Sequence, residues 1–515
     1  METVLLEPAP GVGRRDRLWV VLTLAAIAAG VVFRLGQFFS RQSFRADEVA
    51  LLLNVVGKTT RHLFTAHLEH GQAAPPLFLA AERLVALTAG PGELAERLVP
   101  LLLALAALPL FALLAWRVLA PPAAAIATGL LCLCDKHVWF SAEVKQYTGD
   151  VLITIALMML FLRALRTRSS GWLIALSLSA AAAGWFSHAA ILVFAALSAA
   201  VFVLLLRQGW HRATPWMLLN VPPGLSFLAL YLLSLRRQGA DTYLNDWWSD
   251  SFVDWSRPLL IPLWLIGRLR NLTSYPISPF EWLGVVLVPL MLLGAIGWWK
   301  ARRWDLLAVC LGPIAATLLA AAIHKYPFSG SRVNLFLAPG LLLLAGAGVE
   351  LASQLWREWR GPGQMTRVST PPTDKNVGPG RNLPEPLCLV FAAVLLLPSL
   401  AGDIRCLFVP RNKGAMREVV AYLKRNRAPG EAVYVARNGI EFAWYWPEAP
   451  PPVYLNESAP NRPAGRFWVA FSFNADPHPD RQVRDALAPA RNVARETGKA
   501  LLVRGGGAYE FAAGP

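Results

Sequence analysis

The chain has 515 residues, 55% of them hydrophobic and only 16% charged, with a mean hydropathy of +0.43, which excludes an ordinary water-soluble domain. The formal net charge of +16 comes from basic residues scattered between apolar runs. That scatter excludes the single basic face of a nucleic-acid-binding domain and points to lipid headgroups and phosphates as partners.

A bilayer core about 30 Å thick takes about 20 apolar residues of helix, and backbone groups cannot stay unpaired in lipid. Such runs recur from Leu18 to Leu400. In chain order the predicted spans are 18–39, 95–116, 122–141, 150–166, 172–189, 190–206, 215–235, 280–299, 305–323, 333–353 and 386–402. The expectation is an all-α polytopic membrane protein of about eleven transmembrane helices.

The basic flank at Arg14, Arg15 and Arg17 precedes an apolar stretch long for a signal peptide, so 18–39 reads as a retained first span with a cytoplasmic start. The alternation then makes cytoplasmic the turns holding Arg117, Arg163, Arg166, Arg207, Arg212, Lys300, Arg302, Arg303 and Arg357, in line with the positive-inside tendency. The opposite loops also carry bases, among them Arg45, Lys145, Arg236, Arg237, Lys325 and Arg332.

Two outer segments are long, 40–94 and 236–279. Within the first, "QAAPPLFLAAERLVALTAG" (72–90) reads either as a membrane-surface helix or as a thin span that would invert every later orientation. The second holds "TYLNDWWSDSFVDW", whose Trp and Tyr suit the headgroup layer. Residues 361–385, rich in Gly and Pro, read as a flexible cytoplasmic loop.

After Gly402 the composition becomes that of a soluble domain. "MREVVAYLKRN" and "RQVRDALAPARNVAR" have helical spacing, "EAVYVA" and "RFWVAFSF" are strand-like, and "ALLVRGGGAYEFA" suggests a hairpin. The division expected is a transmembrane domain over 1–402 and a small extracytoplasmic α/β domain over 403–515.

Three clusters could carry chemistry. "SFRADEVALLL" sets Asp47 beside Glu48 just past the first span. Neighbours point about 100° apart on a helix, so one acid can face a substrate while the other positions it or binds a cation; the alternative is a solvated pair neutralised by Arg45. In "FSAEVKQYTGD", Glu143 and Tyr147 share a face if the helix continues, with Lys145 turned away. There Lys145 and Tyr147 suit a phosphate, or else anchor the interface by snorkelling. Nearby, Asp135, Lys136 and His137 of "CDKHVWF" lie in the same outer zone. In "HKYPFSGSRVNLFLAPG", Pro and Gly break the hairpin and present Lys325, Tyr326 and Arg332; arginine offers phosphate a planar fork of donors, lysine a compact charge.

The stretches "ADEVALLLNVV", "HGQAAPPLFLAAERLVALTAG", "ELAERLVPLLLALAALPLFALLAWRVL", "AEVKQYTGDVL" and "KYPFSGSRVNLFLAPG" together resemble the glycosyltransferase family 39 type of membrane enzymes, in the C-type glycosyltransferase (GT-C) superfamily. The resemblance runs in order over most of the membrane region. It implies a GT-C-like fold and transfer of a hexose or pentose from a polyprenyl-phosphate donor to a lipid, polysaccharide or protein acceptor, at the outer face of the cell's inner membrane. It assigns Asp47, the acid of the first outer loop, the catalytic role of base or acceptor-orienting group. Glu48 matches the second acid, and Arg97, Lys145, Tyr147 and Arg332 match positions near the donor phosphate and sugar. Glu143, Lys325 and Tyr326 join them as substrate-binding candidates.

The residues fit that chemistry on their own terms. A hydroxyl acceptor loses its proton as it attacks, which a carboxylate assists, and a departing lipid phosphate gains charge, which fixed cations stabilise. A single displacement inverts the anomeric centre and needs one essential carboxylate. No cofactor is required by spacing, and if a divalent cation takes part Glu48 or Glu143 is its candidate ligand. The rival is a transporter or flippase of a lipid-linked or anionic solute, which would carry its charges near the bilayer midplane.

Overall fold

The structure, a computed structural model, describes residues 14–513 apart from 168, 240–241, 278–280, 360–383, 410–413, 437–438, 450–452, 455–464, 474–478 and 504–505. The expected cytoplasmic loop at 361–385 lies almost wholly outside the described residues. The chain divides into two compact units, one made of 1–36, 74–79 and 99–408, the other of 37–73, 80–98 and 409–515.

The first unit is helical and apolar. Among the described residues, nine helices are long and apolar enough to cross a membrane, from Asp16–Phe39 to Glu385–Phe408. Two shorter ones, Pro121–Leu133 and Ser170–Phe186, fall on the other two predicted spans. The chain is an integral, multi-pass membrane protein.

The predicted span 122–141 is interrupted. Pro121–Leu133 ends at Cys134, whose extended backbone separates it from Asp135–Phe140. The interruption exposes helix-end carbonyls, and Arg34 of the first span satisfies them, donating to Cys132 O at 2.8 Å and Leu131 O at 3.3 Å. A guanidinium at a helix C-terminus suits both the free carbonyls and the helix dipole. The predicted span 215–235 lies in the longer run Trp210–Gln238, which is interrupted at Asn220, just before Pro222 and Pro223.

Ala338–Trp359 lies at the centre of this unit, with its first twelve residues buried. Its small residues let neighbours approach backbone to backbone. A Cβ on Gly348 would overlap the Leu290 carbonyl oxygen, and one on Gly294 of the partner helix Glu281–Lys300 would overlap that of Leu344.

The helix Pro76–Ala89 has 14 residues. At about 1.5 Å per residue it is roughly 21 Å long, shorter than a bilayer's hydrocarbon.

The second unit carries the α/β part. Its five strands, β1 (Ala432–Val435), β2 (Val453–Tyr454), β3 (Arg466–Ser472), β4 (Ala494–Val503) and β5 (Gly506–Ala513), form one sheet in the order β2-β1-β3-β5-β4. β1 runs parallel to β2 and β3, while β5 is antiparallel to β3 and β4. Central β3 is buried beyond its first residue because helices cover both faces. Trp468 and Ala470 pack with Met416, Val419 and Leu423 on one side, and Phe467, Val469 and Phe471 pack with Leu487 and Ala490 on the other. The expected hairpin is the β4–β5 pair. The helical pattern expected from Arg481 to Arg495 stops at Arg491, and β4 takes over from Ala494.

Gly348→Ala should lower the stability of the detergent-solubilised protein by about 1–3 kcal/mol through overpacking, read as a lower thermal midpoint. An unchanged midpoint would mean that the two helices separate without cost.

Candidate functional site

The acidic pair opens the helix Ala46–Gly57 in the second unit. Arg45 stands at the N-cap, where Ser, Thr, Asp or Asn would supply an acceptor, and its side chain caps nothing. Glu48 compensates by turning its carboxylate back to accept the Arg45 N–H at 3.0 Å.

That same carboxylate forms a two-pronged ion pair with Arg97, Nε to Oε1 at 3.0 Å and Nη2 to Oε2 at 2.9 Å. Glu48 is 0% exposed and Arg97 2%. Arg97 also donates to Gln42 O at 2.6 Å and Ser43 O at 3.3 Å, and its guanidinium carbon lies 5.0 Å from the centre of the Phe44 ring. One arginine therefore fixes the chain from Gln42 to Glu48.

Asp47 differs from its neighbour in kind. Its side chain keeps 21% exposure and lies 3.8 Å from Arg45 Nε. It stands in the first helical turn, where the dipole favours a carboxylate. Of the two acids one is committed to a buried pair, and the other is reachable by water.

Near Glu48 is a second pair of acids, Glu82 and Glu96, both 0% exposed and set carboxyl to carboxyl. Burial first, then the Glu96 charge, holds Glu82 well above the usual carboxylate range; burial pushes Glu96 up to about 7.

The remaining candidates lie in the first unit. The chain turns through 141–146 and the next helix begins only at Tyr147, so Glu143 and Tyr147 do not share a helical face. Glu143 is fully buried and accepts from Trp139 Nε1 at 2.7 Å, while Lys145 is 7% exposed. Tyr147 and Asp150 lie within electrostatic reach of Tyr326, whose hydroxyl donates to Val333 O at 2.8 Å. The helix Tyr147–Thr167 packs on the tight turn Arg332–Leu337. The helix that begins at Tyr147 and the turn that begins at Arg332 are thus neighbours, whereas Lys325 is exposed.

That turn is built by Asn334, whose side-chain oxygen accepts from Ser329 N at 2.9 Å and Gly330 N at 2.8 Å. Gly330, at φ +67°, could carry no side chain, because a Cβ would lie 2.5 Å from Leu272 N.

Among the described residues, no group of three or more His, Cys, Asp or Glu is placed to hold a metal ion. Glu48 spends its oxygens on Arg97 and the Arg45 N–H, which leaves it ill suited to a cation. A cavity of about 580 Å³ lies among the helices between Ala180 and Leu230; it is lined mainly by apolar side chains and includes none of the candidates.

Sequence reading passed over Glu82, Glu96 and Asp150, although an acid in or beside an apolar run is itself a signal. It also missed Glu93, Arg417, Glu441 and Tyr445. No local pattern marks those four.

No family model matches this chain, and no curated protein is similar to it in sequence. Among solved structures, the Archaeoglobus fulgidus oligosaccharyltransferase in complex with Zn and sulfate is similar over 82% of this chain, with a TM-score of 0.50 and 11% identity. The present chain covers 61% of that protein's chain. ArnT from Cupriavidus metallidurans bound to undecaprenyl phosphate is similar over 96% of this chain and 99% of its own, with a TM-score of 0.47 and 15% identity. The fold is similar to that of the Archaeoglobus oligosaccharyltransferase.

Two expectations follow. Arg97→Met leaves the Glu48 charge buried and unpaired and should cost about 3–5 kcal/mol, while Arg97→Met combined with Glu48→Gln should cost less, both read by thermal unfolding. A double variant no better than the single one would show that the pair is not what Arg97 serves.

Glu82 and Glu96 hold their protons more tightly folded than unfolded. Their stabilisation is therefore complete below the ordinary value of 4.5, and the share of Glu96 is lost as the pH climbs through about 7. Glu96→Gln should raise the thermal midpoint at pH 8 and leave it unchanged at pH 5. Equal midpoints at both values would count against the two acids sharing a proton.

Proposed function

We propose that the chain is a membrane glycosyltransferase that moves a sugar from a polyprenyl-phosphate donor to an envelope acceptor at the extracytoplasmic face, with inversion. The observation that carries this reading is the division of the acidic pair: Glu48 is consumed by Arg97, and Asp47 stays partly exposed in a rigidly held first turn. The likeness in fold to the Archaeoglobus oligosaccharyltransferase and the ordered motifs support the reading.

In this mechanism the Asp47 carboxylate accepts the proton of an acceptor hydroxyl as that oxygen bonds to the anomeric carbon. The bond from that carbon to the phosphate oxygen breaks, and the electron pair leaves with polyprenyl phosphate. Lys145, Arg332 and Lys325 are assigned to the growing phosphate charge, where fixed cations lower the barrier. Tyr147, Tyr326 and Glu143 are assigned to the sugar. Glu48 and Arg97 serve the reaction through the turn they hold. A prenyl tail stays in hydrocarbon while its phosphate lies at the interface, which explains acids and bases gathered at the ends of apolar helices. The N-terminus is assigned to the cytoplasm and the residues after 402 to the far side.

The test is transfer by the purified protein from a panel of labelled polyprenyl-phosphate hexoses and pentoses to envelope extract. Asp47→Asn should lower kcat about 100- to 10,000-fold, the range for loss of a general base, with no change in thermal midpoint. Equal transfer by both proteins would remove Asp47 from the chemistry. Absence of transfer with every donor would favour a transporter of lipid-linked solutes.

A further inference from the structure

The turn that presents Asp47 is gripped by residues from the far end of the sequence. The Phe44 N–H donates to the Tyr445 hydroxyl oxygen at 2.7 Å, across 401 positions of chain. The Ala46 N–H, at the first helical position, is taken by the Glu441 carboxyl group. Between these two, the Arg45 N–H goes to Glu48. Three successive N–H groups at and just before the helix start are thus satisfied, two of them by the seven-residue helix Gly439–Tyr445.

The grip is anchored behind. Tyr445 donates its hydroxyl proton to Glu93 Oε1 at 2.8 Å, and Glu93 Oε2 pairs with Arg417 at 2.6 Å. Ser43 Oγ donates to Glu418 at 2.8 Å, and the Phe44 ring meets Trp444 edge-on at 5.9 Å. Glu441 is 1% exposed, and its Oε2 has no hydrogen-bond partner among the described residues. A buried carboxyl in such a place carries a cost that needs a reason.

The missing cap supplies that reason. Arg45 cannot accept a hydrogen bond at the N-cap, so the helix start is completed from outside, by Glu441.

We propose that Glu441 and Tyr445 are positioning residues for Asp47, so that the α/β domain sets the orientation of the carboxylate that deprotonates the acceptor. This rests on Asp47 being the base. The groups facing Glu441 are Arg45 and Asp47 from the acidic helix and Ser472 from β3. Burial pushes its carboxyl up to about 8, so at neutral pH it carries a proton and adds no charge beside Asp47. Above that value it ionises next to Asp47 and loosens the turn.

The experiment uses the full chain and two readouts. In the transfer assay, Glu441→Ala and Tyr445→Phe should each lower kcat about tenfold or more with the donor KM unchanged. Glu441→Gln, which keeps an acceptor for Ala46 N–H, should restore kcat and abolish the decline of kcat above about pH 8. In hydrogen exchange, Glu441→Ala should speed exchange of the peptide 43–53 while the membrane helices stay protected. This readout does not depend on finding the donor. Unchanged kcat in Glu441→Ala, with Asp47→Asn still inactive, would overturn the positioning role and leave the catalytic reading intact. Full activity of Asp47→Asn would overturn the catalytic reading. Unaltered exchange in 43–53 would overturn the grip itself.

Discussion

Everything at the start of the acidic helix depends on one buried salt bridge. Taking Glu48 and Arg97 out of water costs several kcal/mol per ion, which their attraction offsets only where geometry is good and the other protons are satisfied. Here both conditions hold, since Arg97 makes two bonds to the carboxylate and two to backbone carbonyls. The bridge is less a source of stability than a register mark. It dictates that Gln42, Ser43 and Phe44 wrap a guanidinium, and so determines which of two adjacent acids is sealed in and which is left to meet water.

The membrane unit answers a different constraint, the absence of a hydrophobic drive between helices already in lipid. Its central helix gains contacts by removing side chains: Gly348 and Gly294 bring two backbones together. Where the helical ladder is interrupted at Cys134, a buried arginine supplies the missing donors. Irregular backbone at depth is tolerated because it is enclosed by protein.

Much of this was legible in the sequence, and the parts that were not share a cause. Apolar run length located the spans because each helix satisfies its own backbone. The acidic pair was visible because charges beside apolar runs are rare. The separate fates of Asp47 and Glu48 were not visible, since adjacent letters do not say which one an arginine 49 positions away will claim. Glu143 and Tyr147 looked like one helical face, but the helix starts only at Tyr147. The short helix after β1 gave the weakest signal, because Glu441 and Tyr445 act on residues some four hundred positions earlier.

That separation also orders events in time. Phe44 and Tyr445 are 401 residues apart, and at about 5–20 residues per second the ribosome takes roughly 20–80 s to travel from one to the other. Throughout that interval the nascent acidic helix has its own Glu48 but no external cap. Its first turn is completed only once the helix Gly439–Tyr445 has been made, so a chain truncated before Gly439 would keep that turn unfinished.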